Sequence, residues 1–216
     1  MKENAIVPEY HRKKQMQLRT TVEKLKKPNL VDRHFCPLKP NQVWVTDVCE
    51  LRFKNIKKQY LSVMLDLSDR KIVAYKIGDV NDTELALSTL ITAKWNRIDA
   101  QNVIIHSDQG TSYFSFEFQH QCNKFGFQQS MSRPGRPIDN SVMESFFSRY
   151  RAEIKCFPMP KSPEEQKQYA FDWLWFYDKK RISLPKKVNK NKIFNYDKAI
   201  EKAKEFEKLK LKKIKF

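Results

Sequence analysis

The segment "NVIIHSD", residues 102–108, constrains the fold more than any other. It is too short and too continuously apolar for an amphipathic helix, and it matches a strand buried on both faces. A chain containing such a strand must supply helices to cover both sides of a sheet. Upstream, "NQVWVTDVCEL", "KKQYLSVMLDL" and "KIVAYKIG" are β-branched or alternating, and the turn "SDR" separates the last two. They read as an antiparallel meander. Asp82 or Thr83 can cap a helix through "ELALSTLITAKW". After the buried strand, "YFSFEFQHQCNKF" suits a helix, and Gly126 turns the chain into the short strand "GFQQS". A helix containing "SVMESFFSRYRAEIK" follows, then one capped by Ser162 over "SPEEQKQYAFDWLWFYDKK". Residues 11–27 suit a further helix, closed by Pro28, and the tail "NYDKAIEKAKEFEKLKLKKIKF" is helical to about Phe206 before fraying into lysines. The sum is an α/β fold with a mixed five-stranded sheet flanked by helices.

The chain of 216 residues carries a net charge of +17, and its distribution is uneven. Residues 1–40 hold ten basic and four acidic side chains, and residues 179–216 hold fifteen and four, while the middle holds seventeen of each. A neutral body with two cationic arms attracts a polyanion, and DNA or RNA is the natural one. Solvating tails are the plainer alternative. No apolar run approaches a membrane span, and the start lacks the apolar segment and cleavage site of a secretory signal. Cys36, Cys49, Cys122 and Cys156 form no CxxC pair and no zinc-site spacing with histidine, which fits reduced thiols in a cytoplasm.

Three carboxylates stand in unusual places. With a period of two, Asp47 shares a strand face with Val43, Val45, Cys49 and Leu51 and interrupts it. It is either a buried aspartate satisfied by hydrogen bonds or part of a site. Asp108 ends the buried strand, where open α/β sheets place ligands, although a turn aspartate would look the same. Glu144 fits a capping box with Ser141. It also heads a polar stripe of Glu144, Ser148, Arg151 and Lys155 beside the apolar stripe of Met143, Phe147, Tyr150 and Ile154. Were the three carboxylates to meet about 5 Å apart, each pair would repel by roughly 3 kcal/mol at an effective dielectric of 20. Divalent magnesium or manganese, which prefer oxygen ligands, would relieve that repulsion.

"WVTDVCEL", "HSDQGTSY" and "QSMSRPGRPIDNSVMESFFSRYRAEI" resemble the integrase-core, DDE-type transposases of bacterial insertion sequences, relatives of retroviral integrases. That family separates its second aspartate and its glutamate by 35 residues, as Asp108 and Glu144 are separated here. A basic residue stands seven positions after its glutamate, as Arg151 does. The resemblance implies an RNase H-like core over residues 41–180, a basic N-terminal arm over 1–40 and a lysine-rich helical tail over 181–216. It implies a catalytic and metal-binding triad of Asp47, Asp108 and Glu144, two Mg²⁺ or Mn²⁺ ions, and cleavage and strand transfer of DNA by at least a dimer. The setting it implies is a bacterial, nucleoid-associated cytoplasmic protein. The helix-turn-helix segments that usually precede this core do not occur in the sequence, and "ISLPKKVNKNKIF" departs from the family's usual continuation. A truncated, non-catalytic nucleic-acid-binding regulator is therefore the competing expectation.

Several other residues are candidates. Arg133 and Arg136 flank Gly135 beside the glutamate and could grip DNA phosphates with Ser148, Arg151 and Lys155. His106 could orient the Asp108 carboxylate or a metal-bound water, or simply pack. Asp66 could border the site or terminate its strand, and Trp173, Trp175, Phe176 and Tyr177 could stack bases or form core.

Overall fold

Strict alternation along β1 (Val43–Leu51) sorts its side chains between two cores. Val43, Val45, Cys49 and Leu51 enter one, and Trp44 and Val48 enter the other. A computed structural model of the chain, describing residues 26–181 and 195–214, shows how the remaining elements meet those two faces. The helix expected over residues 11–27 lies almost wholly outside the described residues.

Strands β2 (Gln59–Asp66) and β3 (Ile72–Gly78) complete the antiparallel meander, with Asp47 paired to Val63. Helix α1 (Thr83–Asn96) begins at Asp82, whose Oδ1 accepts the Leu85 N–H at 2.9 Å. It returns the chain to β4 (Ile104–Ser107), which runs parallel to both β1 and β5 (Gln128–Met131). The sheet order is β3-β2-β1-β4-β5, so the apolar run at Ile104 is interior and buried on both faces. Between β4 and β5, one helix was expected, and two are present. Thr111–Phe114 (α2) stops at Ser115, whose hydroxyl caps a second helix, α3 (Phe116–Lys124), through the Phe118 N–H. A serine that can bond the backbone starts a new helix more readily than it continues an old one.

Helices α1, α2 and α3 cover the Trp44 face, where Leu90, Phe118 and Phe127 are buried. The opposite face receives α4 (Ser141–Glu153), α5 (Pro163–Lys179) and α6 (Tyr196–Ile214). Ser162 caps α5 through the Glu165 N–H, as its sequence position indicates. Helix α6 continues beyond Phe206 to Ile214 instead of fraying, in keeping with a segment rich in strong helix formers. Its Ala199 and Ala203 are buried in the core, and Leu30 and Val31, inside the stretch read as a basic arm, are buried there too. This is the RNase H-like arrangement, a mixed five-stranded sheet between two helical layers.

The aromatic set near the end of α5 divides in two. Trp173 is buried and meets the rings of Phe146 and Tyr150 edge-on, with Tyr177 stacked against it. Trp175 and Phe176, for which core and base stacking were both open, point outward and are 57% and 45% exposed. All four cysteines are free thiols. Among the described residues, no helix is long and apolar enough to cross a membrane. Trp173→Ala removes the ring on which α4 and α5 pack and should cost about 3–5 kcal/mol of stability. Urea unfolding followed by tryptophan fluorescence or circular dichroism measures that loss.

Candidate active site

The parallel pairing of β1 and β4 sets the geometry. Val45 lies opposite His106, so two residues further along both strands Asp47 comes level with Asp108, just past the carboxyl end of β4. Asp47 is half-buried on the face that α4 covers, and its Oδ1 accepts the Val48 N–H at 2.8 Å. Asp108 is exposed, and its Oδ1 accepts the Gly110 N–H at 2.9 Å. A side chain at Gly110 would bring its Cβ to 3.0 Å from that same oxygen, so the glycine lets the carboxylate fold back on the turn.

Glu144 occupies the first turn of α4 and is exposed. Its carboxylate accepts no hydrogen bond among the described residues. The capping box expected from Ser141 and Glu144 does not form. Asn140 holds the N-cap position, no side chain caps the helix, and Ser141 already lies inside it. A short 3₁₀ turn over Pro137–Asn140 leads directly into α4 and displaces the cap. Below Glu144 the two stripes are as the spacing indicates. Met143, Phe147, Tyr150 and Ile154 are buried, and Ser148, Arg151 and Lys155 are exposed.

Electrostatics tie the three acids together. Burial raises the Asp47 pKa from 3.8 to about 7, with further upward pushes from the charges of Asp108 and Glu144. The Val48 N–H and the Arg151 guanidinium pull the other way. Tyr113, buried beneath the pair, has its phenol pushed well above its ordinary range by burial and then by the Asp47 and Asp108 charges.

The expected triple at close spacing is not assembled as a cage. Among the described residues, no three carboxyl, thiol or imidazole groups are gathered to hold a metal ion. The donor set nevertheless suits Mg²⁺ or Mn²⁺, because each aspartate has an oxygen free of hydrogen bonds and the glutamate has two. Magnesium is commonly held by one or two carboxylates, with water and substrate phosphates completing its shell, and needs no all-protein cage.

A second carboxylate cluster escaped the sequence reading. Asp139 is completely buried just before α4. It accepts Arg133 Nε at 2.7 Å, Arg133 Nη2 at 2.8 Å, Arg33 Nε at 2.9 Å and Asn29 Nδ2 at 3.0 Å. The Arg133 guanidinium first, and Arg33 with it, hold its carboxyl well below the usual range against the cost of burial. Arg133 also meets Asp32 at 3.1 Å, so its cation braces this loop. Arg136 across the turn is exposed and unpaired among the described residues, with Gly135 between them at φ +65°. The partners of Asp139 lie far away in sequence, at Asn29 and Arg33, which hid the cluster. The adjacency of "SRPGRPID" was the one available signal.

His106 serves the same loop and makes no hydrogen bond to Asp108. Its Nε2 donates to the Asp139 carbonyl at 2.9 Å, which assigns the tautomer, and its Nδ1 accepts from Ser130 Oγ at 2.8 Å. Complete burial lowers its pKa to about 4, so the ring is neutral. Asp66 ends β2, where it accepts the N–H groups of Asn41 and Ser68, and has no part in the acidic cluster.

An RNase H-like sheet carrying one aspartate within a central strand and another just past the end of its parallel neighbour defines a class, and comparison with known proteins identifies the family. The integrase core domain model matches residues 37–137. A putative transposase for insertion sequence element IS150 of Escherichia coli is 33% identical over 159 residues, which cover 73% of this chain and 55% of that protein. An uncharacterised transposase-like protein of Haemophilus influenzae is 32% identical over 71% of this chain and 70% of its own length. The simian T-cell lymphotropic virus intasome, solved in complex with PP2A regulatory subunit B56 gamma, shares the fold with a TM-score of 0.54 at 21% identity. That match covers 68% of this chain and 51% of the viral one. The chain belongs to the integrase-core, DDE-type transposases of bacterial insertion sequences. It spans about half the length of the IS150 relative.

In metal-free protein, folded Asp47 keeps its proton up to about pH 7, whereas the unfolded residue loses it near 3.8. Between those values the folded state binds the extra proton, so the stability that Asp47 contributes falls as pH rises through the window. Asp108→Asn should lower the Asp47 pKa without restoring 3.8, because burial is the larger cause. Carboxyl carbon NMR titration in EDTA would read the change, and an unmoved midpoint would show that the two charges do not interact.

Proposed function

We propose that this chain is the catalytic core of a DNA transposase, with Asp47, Asp108 and Glu144 as its catalytic and metal-holding residues. The observation carrying this reading is that two elements, the end of β4 and α4, bring charges to bear on a half-buried aspartate carried by a third, β1, which lies level with Asp108 across the parallel pairing. In the reaction, a water oxygen attacks a phosphodiester at the element's end and expels a 3′-hydroxyl. That hydroxyl then attacks a target phosphate, forming one phosphodiester as another breaks. When bound, two Mg²⁺ or Mn²⁺ ions supply Lewis-acid stabilisation of the attacking and leaving oxygens. Asp47 and Asp108 present oxygens from the sheet, and Glu144 closes over them from the first turn of α4. Arg136, Ser148, Arg151 and Lys155 line the approach and bind backbone phosphates, while Arg133 acts indirectly by holding the loop. The working setting of such a core, residues 41–180 with cationic arms, is the bacterial nucleoid.

Asp47→Asn, Asp108→Asn or Glu144→Gln should each cut Mg²⁺- or Mn²⁺-dependent nicking and joining of element-end DNA by more than about 100-fold, with DNA affinity nearly unchanged. Gel assays on labelled ends measure both. Tight, salt-sensitive binding by the unaltered chain with no product under either metal would return the reading to a non-catalytic DNA-binding regulator.

Joining two ends calls for at least two copies. Support comes from the sheet edge, where β3 pairs with β2 on one side and has no strand on the other among the described residues, and where Tyr75, Phe171 and Trp175 are exposed. Tyr75 and Phe171 lie with ring centroids 5.7 Å apart, and Trp175 lines a groove of about 430 Å³ with Ile72 and Thr92. Exposed apolar patches and open strand edges are where chains associate. Trp175→Glu should shift the chain from dimer to monomer in analytical ultracentrifugation, and an unchanged dimer would place the interface elsewhere.

A further inference from the structure

The pairing that aligns the two aspartates stops short of both. Along β1 and β4 the last partners are Val45 and His106, so Asp47 and Asp108 stand beyond the paired stretch. From Asp108 the chain turns into α2, a helix of four residues whose N-cap, Gly110, makes no side-chain bond. Toward β5 this turn is tied twice. Gln109 Nε2 donates to the Ser132 carbonyl at 2.9 Å, and Gln129 Nε2 donates to the Tyr113 carbonyl at 2.7 Å. Toward β1 it is tied through the Tyr113 side chain. The ring lies against Gly110, where an added Cβ would meet Cδ2 at 3.4 Å, and the hydroxyl reaches Thr46 Oγ1 at 3.3 Å. Thr46 donates its own proton to the Val63 carbonyl at 3.0 Å, which leaves Tyr113 as the donor between them. Thr46 immediately precedes Asp47 and points to the opposite face of β1. Both side chains are buried, Tyr113 at 2% and Thr46 at 1% exposure. Packing alone does not call for the hydroxyl. The Tyr113 ring meets Phe118 edge-on at 5.3 Å, and a phenylalanine would do the same without taking an O–H group out of water.

We propose that Tyr113 is a positioning residue of the carboxylate pair: bonded to Thr46 and set against Gly110, it fixes the spacing between Asp47 and Asp108, and that fixed spacing makes the pair select Mg²⁺ over the larger Ca²⁺. The inference rests on the metal-holding role given to the two aspartates above. The path of contacts is short. Asp108 Oδ1 folds back on the Gly110 N–H, Gly110 rests on the Tyr113 ring, and Tyr113 Oη is bonded to the neighbour of Asp47. Tyr113 is not itself a ligand, because it packs in the Trp44 core, on the face of the sheet opposite Asp47. Burial keeps its phenol protonated, so it remains a donor at neutral pH. Magnesium demands near-ideal octahedral geometry at about 2.0–2.1 Å, whereas calcium accepts roughly six to eight oxygens at about 2.3–2.6 Å in adaptable arrangements. A pair of carboxylates free to part therefore loses affinity for Mg²⁺ first and keeps its affinity for Ca²⁺. Side chains that orient metal ligands from behind change metal affinity by about 10–100-fold when altered.

The test reads metal binding by the full chain without DNA or turnover, from the carboxyl carbon NMR signals of Asp47 and Asp108 as Mg²⁺ or Ca²⁺ is added at fixed pH and ionic strength. Tyr113→Phe should weaken Mg²⁺ binding about ten-fold while Ca²⁺ binding changes less than about two-fold. Thr46→Val should do the same, and the double variant should be no worse than either single one, since both remove one bond. Thr46→Ser, which keeps the hydroxyl, should bind both ions as the unaltered chain does. Tyr113→Phe leaves no buried donor unpaired, because Thr46 keeps its bond to Val63, so its thermal unfolding should stay cooperative with a nearly unchanged midpoint. Equal losses for the two ions would overturn the proposal, since Tyr113 would then serve the fold and not the spacing. Unchanged Mg²⁺ affinity would overturn it as well. Either result leaves the transposase reading standing if Asp108→Asn abolishes the Mg²⁺ response. If neither ion moved the carboxyl signals of the unaltered chain, the proposal and the metal-holding assignment would fall together.

Discussion

The parallel register between β1 and β4 is the constraint on which the site depends. It makes two aspartates from distant parts of the chain level with each other at one end of the sheet. Backbone hydrogen bonds and two-sided burial hold that register, because a slip by one residue would turn every apolar side chain of β1 toward the wrong core. Asp47 is the exception the strand tolerates. It sits among Val45, Cys49 and Leu51 on a face that otherwise packs under α4, and its raised pKa reflects the energetic cost of that position. A carboxylate perturbed in this way is a candidate for function rather than a packing residue.

The third acid depends on different forces. Helix α4 is seated by Met143, Phe146, Phe147 and Tyr150, which places Glu144 on the solvent side of the buried stripe. Its start is set by the Asp139 cluster, where one buried carboxylate draws together Asn29, Arg33 and Arg133, and by His106, which holds the Asp139 carbonyl. Asp139 and Asp47 are opposite cases of a carboxylate out of water. Arginines surround Asp139 and its pKa is depressed, whereas acids face Asp47 and its pKa is raised. The first group gives rigidity, and the second provides an unmet demand for positive charge. The Arg151 guanidinium below Glu144 answers only part of that demand.

Much of the architecture was legible in the chain. The alternation of β1, the apolar run of β4, the caps at Asp82 and Ser162 and the two stripes of α4 are local patterns, and each corresponds to its element in the structure. Less legible were features set by competition. The break at Ser115 reflects a serine choosing a cap over a continuing helix, and the missing capping box reflects a 3₁₀ turn occupying the cap position. Trp175 and Phe176 could not be told from Trp173 and Tyr177 in the chain, because helical spacing reports which residues share a face, and not whether anything covers it.

By itself, the sequence determined the element order, the two-faced sheet, the family through its acidic motifs and their spacing, and the stripe on which Glu144 rides. Those properties follow from periodicity and short-range chemistry, which are written in adjacent residues. Only the tertiary structure decided that Arg133 braces a loop, that His106 serves Asp139 instead of Asp108, and that a cation-lined groove adjoins the carboxylates. Those outcomes depend on distant partners, such as Asp32 for Arg133 and Asp139 for His106, or on space left between elements, and none is encoded until the chain has closed on itself.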